Sequence, residues 1–363
     1  MDIKKLIRPE LVTMKSYTPI EPTEVLSRRA KLPAGKIVKL DGNENPYGCS
    51  PKVYQALATY PYYHNYPDPE QRELRKALEK YTGLGRQHIV CGMGSDDLID
   101  LILRLFLKPG DEVINCPPTF GMYRFSTDVC GGRLVDVPRT EHFALDMAGI
   151  KKALTRKTKV IFVASPNNPT GNTATKKKIM ELVDTRKVVV VDEAYFEFSD
   201  NATVATLVSS YPNLIVLRTF SKWAGLAGLR IGYGFFSIEI ADCLMKIKQP
   251  YNANAAAQAA VLASLTDIEY LRANVARIVA QRERLFGKLK ELGWLRPYPS
   301  QANFILCSLA EGEAKDIWQQ LRQKGIFVRY FDTPRLRDCL RISVGRPGDT
   351  DVLVKALKEV KHG

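Results

Sequence analysis

The sequence predicts an α/β protein: a mostly parallel, doubly wound sheet followed by a smaller C-terminal α+β unit. Three observations predict it. Short apolar runs alternate with helical periodicity from about residue 87 onward. Most of those runs are continuously apolar, as suits strands covered on both faces. After about residue 255 the pattern changes to one long charged helix and short, scattered strands.

The elements follow in order. Residues 1–36 are polar and broken by Pro9, Pro19, Pro22 and Pro33, which reads as an arm that wraps something. Residues 37–255 read as the large domain. Strands are predicted there at 88–91, 112–116, 160–164, 187–191, 214–217 and 231–236, with helices at 96–107, 118–130 and 175–185. Residues 256–363, just after Gln249-Pro250, read as the small domain. It carries a predicted helix over about 267–292, strands at 303–307, 326–329 and 340–344, and a helix at about 312–323.

Composition narrows the class. The chain has 363 residues, 45% hydrophobic and 25% charged, which excludes a disordered or fibrous protein. Its formal net charge of +14 raises nucleic acid, a membrane surface or an anionic small molecule as partners. No apolar run reaches the roughly 18 residues of a membrane span, and the first residues carry no secretory h-region. The seven cysteines form no CxxC pair, and the four histidines show no metal-type spacing. A cytoplasmic, reduced protein without a metal site and without a membrane partner is the expectation. Lys151-Lys152 and Lys176-Lys177-Lys178 read as solvated helix faces, so nucleic acid is not an expected partner.

The residues that carry chemistry fall at the carboxyl ends of predicted strands, where open α/β sheets bind ligands. Asp192 ends the run Val188–Val191 and needs a cation or proton donor to stay charged there; the lesser reading, taken alone, is a cap for the next turn. Lys222 follows another apolar strand, beside Ser221 and before a Gly-rich turn. Such a lysine is an anion binder or a depressed-pKa amine that makes Schiff bases; an isolated one would by default snorkel at the surface. The turn Gly92–Asp96 offers helix-end N–H groups to a phosphate. An amine, an acid and a phosphate-binding turn together suit pyridoxal phosphate.

The segments SPNNPTG at 165–171, DEAYFEF at 192–198 and RTFSKWAGLAGLRIGY at 218–233 resemble the fold-type-I, aspartate-aminotransferase-like pyridoxal phosphate enzymes. LDGNENPYG at 40–48, YPDPEQRELRKAL at 66–78, CPPTFGMY at 116–123, PYN at 250–252 and CLRISVG at 339–345 narrow the resemblance to the histidinol-phosphate aminotransferase family. It implies a large domain with a mostly parallel seven-stranded sheet and a smaller C-terminal α+β domain. It implies that Lys222 bonds the cofactor aldehyde and shuttles a proton, and that Asp192 keeps the pyridine nitrogen protonated. Tyr195 and Asn168 would hydrogen-bond the phenolic oxygen, and Phe120 would stack on the ring. Thr219, Ser221 and Arg230, with the main chain of Ser95 and Asp96, would take the cofactor phosphate. Arg341 would clamp a carboxylate, while Arg329 and Tyr17 would hold the substrate's distal phosphate. Tyr66 would reach the cofactor phosphate of a neighbouring subunit, which implies a homodimer with shared sites. One departure stands beside the lysine: Trp223-Ala224 replaces a commoner Ala-Phe-Gly type of sequence.

The reaction that the resemblance implies converts L-histidinol phosphate and 2-oxoglutarate to imidazole-acetol phosphate and L-glutamate, a step of histidine biosynthesis. Two relatives of the same fold stand as alternatives, an aromatic-amino-acid aminotransferase and an O-phosphothreonine decarboxylase. A cofactor-binding regulator without catalysis is the more distant one. A DNA-binding regulator would need a helix-turn-helix unit, for which the roughly 36 residues before the first motif are too few.

Overall fold

In the computed structural model the described residues are 1–14, 16–310 and 312–360. The strands in chain order are β1 Val38–Leu40, β2 Ile89–Gly92, β3 Glu112–Asn115, β4 Arg133–Asp136, β5 Thr158–Ala164 and β6 Val188–Asp192. They continue with β7 Leu214–Thr219, β8 Gly232–Phe235, β9 Leu295–Pro297, β10 Phe304–Leu309, β11 Ile326–Tyr330 and β12 Cys339–Ser343. Seven of them form one sheet in the order β2-β8-β7-β6-β5-β3-β4. β4, β3, β5, β6 and β7 run parallel in sequence across it, and β8 is antiparallel to both neighbours. The continuous apolar runs have their expected cause: β2 and β3 are buried at every position, and β5, β6 and β7 almost throughout.

Two cores cover this sheet. One packs Ile161, Val163, Val189, Val191, Leu214 and Val216 against one face. The other packs Phe162, Val190, Ile215 and Leu217 against the helix Gly94–Phe106 on the opposite face. Alternate residues of one strand therefore serve opposite cores. The parallel strands leave Asp192, Thr219 and Gly92 together at one edge.

The second sheet has the order β1-β11-β12-β10-β9 and its own core around Leu306's neighbours Ile305 and Cys307, with Leu340 and Ile342. β1 lies in the segment expected to belong to the large domain, yet it pairs in parallel with β11, Val38 opposite Ile326 and Leu40 opposite Val328. Leu40 enters the C-terminal core. The helix Ala255–Leu265 departs in the opposite sense: Ala257, Ala260 and Val261 pack into the large-sheet core. The long helix Ile268–Glu291 joins the two. Leu271 and Ile278 face the large core, and Leu285 and Leu289 face the small one. A single apolar stripe along one helix thus serves both cores.

A buried ion pair ties the ends of β6 and β7. Arg218 donates from Nε and Nη2 to Glu193 at 3.0 and 2.9 Å, and its guanidinium lies 3.9 Å from the centre of the Phe196 ring. Thr203 and the Val204 N–H complete the shell of Glu193. Glu193→Ala strands a buried guanidinium and should cost about 3–5 kcal/mol, read as the shift in a denaturant unfolding curve. Glu193→Asp, which keeps the charge, should lose less.

Candidate active site

A cavity of about 1110 Å³ opens above the carboxyl ends of β5, β6 and β7 and runs toward β11 and β12. Every site residue predicted from sequence lines it except Tyr66. Tyr66 is exposed and stacks on Tyr251, with ring centres 4.4 Å apart. The structure therefore gives Tyr66 no place in its own chain's cavity.

Asp192 closes β6 and is 5% exposed. Its Oδ2 accepts from the Tyr123 hydroxyl at 2.7 Å, and its Oδ1 from the Ala194 N–H at 3.0 Å. Burial pushes its carboxyl up to about 6, and the Tyr123 and Ala194 hydrogen bonds oppose that rise. Lys222 lies past the end of β7, its Nζ donating to the Gly42 carbonyl at 3.2 Å. Burial, with the nearby Arg341 and Arg230 charges, lowers the amine to about 8, while the Glu44 and Asp96 charges oppose that fall. At neutral pH this lysine is far closer to its nucleophilic form than an ordinary one.

Tyr195 accepts from Asn43 Nδ2 at 3.0 Å, which leaves its own O–H proton to donate into the cavity. Burial pushes its phenol up to about 12. Asn168 Oδ1 is held by Arg341 Nη1 at 2.6 Å, so its amide N–H groups are the free side of the group. Phe120 meets Tyr123 edge-on at 5.7 Å, and Tyr123 stacks on Phe162 at 4.5 Å.

The turn after β2 makes an anion cradle. The helix Gly94–Phe106 starts there, so the N–H groups of Ser95 and Asp96 belong to its unsatisfied first turn. Asp97, not Asp96, closes that turn: its Oδ2 accepts from the Met93 N–H and from Asn252, both at 2.9 Å. Asp96 instead holds Arg230 at 2.7 Å. Gly94 has φ +79°, and a Cβ there would lie 2.7 Å from Arg230 Nη2; a Cβ on Gly232 would lie 2.6 Å from the Ser95 nitrogen. Both glycines keep main chain and guanidinium close to one small space. Thr219 and Ser221 share a hydrogen bond at 3.0 Å beside it.

On the other wall, β11 and β12 set Arg329 directly opposite Arg341. Arg341 also donates to the Asp41 carbonyl, and Arg329 donates to the Thr18 carbonyl at 2.9 Å. Like charges facing each other across a ladder are destabilising without an anion. Tyr17 packs its ring over Gly121, so the N-terminal segment closes this side. Trp223 is buried, stacked on Tyr81 at 5.5 Å and set against Phe220 at 5.6 Å. It fills the space behind Lys222.

Sequence reasoning passed over Asn43, Tyr123 and Asp41. Asn43 and Tyr123 sit inside segments that carried the resemblance, but each partner lies far along the chain: Tyr195 for Asn43, Asp192 for Tyr123. No local spacing signals such pairs.

A reactive amine, a buried carboxylate, a glycine-lined anion cradle and a pair of facing guanidiniums define an enzyme that works through pyridoxal phosphate on an anionic amino compound. The chain belongs to the class I and II aminotransferases, whose family model matches residues 35–357. It is 52% identical over 359 residues to the histidinol-phosphate aminotransferase of Dehalococcoides mccartyi, covering 99% of each chain. It is 46% identical over 355 residues to histidinol-phosphate aminotransferase 1, chloroplastic, of Arabidopsis thaliana, covering 97% of this chain and 85% of the other. The crystal structure of histidinol-phosphate aminotransferase from Sinorhizobium meliloti in complex with pyridoxal-5′-phosphate superposes with a TM-score of 0.87 at 29% identity. It covers 97% of this chain and 96% of that one.

The lowered amine is directly testable. In the cofactor-free protein an amine-reactive reagent should modify Lys222 with a pH midpoint near 8, while exposed lysines titrate near about 10.4. Peptide mass spectrometry across a pH series reads both. A Lys222 midpoint above about 10 would contradict the burial argument.

Proposed function

We propose that this chain transfers the amino group of L-histidinol phosphate to 2-oxoglutarate, giving imidazole-acetol phosphate and L-glutamate in histidine biosynthesis. The observation that carries the reading is the register Arg329 opposite Arg341 on the wall facing Lys222. Two guanidiniums suit a phosphate dianion in one half-reaction and a carboxylate in the other. The full-length likeness to histidinol-phosphate aminotransferases supports that substrate over the aromatic and decarboxylating alternatives.

The residues fit the cofactor. Lys222 is the amine for its aldehyde, and Asp192 the anion for its ring nitrogen. Tyr195 O–H and the Asn168 amide are donors for its phenolic oxygen, and Phe120 is an apolar face for its ring. Ser95, Asp96, Thr219, Ser221 and Arg230 surround the space for its phosphate. Bound there, pyridoxal phosphate supplies an electron sink for the carbanion that deprotonation leaves.

The rest is the work of this chain. Lys222 Nζ takes the proton from the substrate α-carbon and returns it on the way to product. Tyr123 and the Ala194 N–H keep the Asp192 carboxylate ionised despite its burial. Arg341 and Arg329 hold the substrate anion, and Tyr17 keeps water from the open side. Tyr66, exposed in one chain, is proposed to complete the phosphate cradle of a second copy, so that the working unit is a homodimer. The described cysteines are all free thiols, and no described helix is long and apolar enough to cross a membrane; both suit the cytoplasm.

Lys222→Ala should abolish transamination of L-histidinol phosphate. Borohydride treatment of the wild-type holoenzyme should leave the cofactor mass on the Lys222 peptide. Substantial turnover by Lys222→Ala would end the assignment. The shared site has its own test. Co-refolding Lys222→Ala with Tyr66→Ala should restore about a quarter of wild-type activity, because half the dimers are hybrid and each hybrid keeps one intact site. Activity no higher than that of the parents would place Tyr66 outside the partner's site.

A further inference from the structure

The carboxylates that line the cavity differ in how they are satisfied. Asp192 accepts from Tyr123 and Ala194, Asp96 from Arg230, and Asp136 from Asn115 and Arg124. Asp41 is the exception. It is 8% exposed, and its Oδ1 is buried without a hydrogen bond from any described residue. Lys39 Nζ lies 3.3 Å from that oxygen but out of line for a hydrogen bond, and it is drawn to Glu44 at 2.6 Å. Burial pushes the Asp41 carboxyl up from its ordinary value, with Lys39 opposing. A hydrogen-bond donor reaching this oxygen would therefore stabilise its charged form.

Its position matters more than its burial. Val38 and Leu40 turn toward the C-terminal core and Lys39 the other way, and Asp41, the first residue past β1, lines the cavity. The Asp41 carbonyl accepts from Arg341, and the next carbonyl, Gly42, accepts from Lys222 Nζ at 3.2 Å. Asp41 thus sits between the guanidinium that takes the substrate's anion and the amine that works at its α-carbon. Histidinol phosphate carries three polar groups around that carbon: amine, phosphate and imidazole. The first two have their partners. The third hangs from the same carbon through one methylene and presents a ring N–H that needs an acceptor.

We propose that the Asp41 carboxylate accepts a hydrogen bond from the imidazole N–H of the substrate, and so selects an imidazole over a phenyl side chain. The inference rests on the histidinol-phosphate reading above. A site built around a hydrogen bond discriminates against an analogue that lacks the donor, because its own polar group is then left unpaired.

The test compares two amino donors on the same holoenzyme preparation: L-histidinol phosphate and L-phenylalaninol phosphate, its phenyl counterpart. Each is followed by turnover, or by its competitive inhibition constant where turnover is slow. Asp41→Ala should lower kcat/KM for histidinol phosphate about 10- to 100-fold. It should leave phenylalaninol phosphate unchanged or improved. Asp41→Asn, which keeps an acceptor oxygen, should recover part of the loss. The ratio between donors cancels any fraction of unfolded protein. An unchanged ratio in Asp41→Ala, or an equal fall for both donors, overturns the proposal and makes Asp41 a support for Arg341 alone. A wild-type enzyme that uses other amino donors but not histidinol phosphate overturns the functional reading instead.

Discussion

The site depends on keeping one amine buried, with its pKa drawn down toward neutrality. Among the described residues no carboxylate forms an ion pair with Lys222; its hydrogen bond goes to the Gly42 carbonyl. Desolvation carries most of its fall to about 8, and the Arg341 and Arg230 guanidiniums carry part of the rest. The cations that prepare the cavity for anions also hold the lysine near its reactive form. Moving the guanidiniums away would weaken anion binding and return the amine toward its ordinary pKa in one stroke. Asp192 answers the opposite need. It must stay charged in a buried place, and two hydrogen bonds, from Tyr123 and Ala194, work against its desolvation.

That arrangement requires two sheets. The large sheet supplies Asp192 and Thr219 at strand ends, with Lys222 just beyond. The small sheet supplies Arg329 and Arg341. β1 carries the chain back to the small sheet and hands Asp41, Gly42 and Asn43 to the space between them. Each of the three touches a residue of the other wall or of its own: Arg341, Lys222 and Tyr195. The stretch 41–43 is therefore the hinge of the electrostatics, although it is too short to be an element of its own. The helix Ile268–Glu291 holds the two cores at a fixed spacing by serving both with one stripe.

Much of this was legible in the sequence, for stated reasons. Central strands are long apolar runs because both faces are covered, so β5, β6 and β7 stand out. β4 escaped detection because it is an edge strand with exposed ends, Arg133 and Asp136, and only its middle is half-buried. β1 escaped because it has three residues and pairs with a strand nearly three hundred positions later. The site residues with distinctive chemistry, Lys222, Asp192 and Arg341, were visible through motifs. Their partners were not. Nothing in Tyr123 or Asn43 distinguishes a core side chain from one that holds a reacting group. Asp96 and Asp97 are both acids of the helix's first turn, and the side chain that closes the turn is that of Asp97. Tertiary pairing decided between two adjacent carboxylates that local rules treat alike.

The net charge of +14 has a local counterpart with a clearer meaning. Among the arginines that line the cavity, Arg124 is matched by Asp136 and Arg230 by Asp96, Arg335 rests on the Arg139 and Thr140 carbonyls, and Arg329 and Arg341 face each other with main-chain carbonyls and an amide oxygen for company. Carbonyl dipoles solvate a guanidinium but do not neutralise it. Burial and the Arg329 charge lower the Arg341 pKa, which marks a cation held against its preference. The Asp41 charge offsets part of that fall. On the proposed function, the substrate's anion supplies the counter-charge that Arg329 and Arg341 are placed to receive. The surface excess is separate: a salt-screened field can speed the approach of a phosphate ester, while the guanidiniums inside the cavity are proposed to hold it.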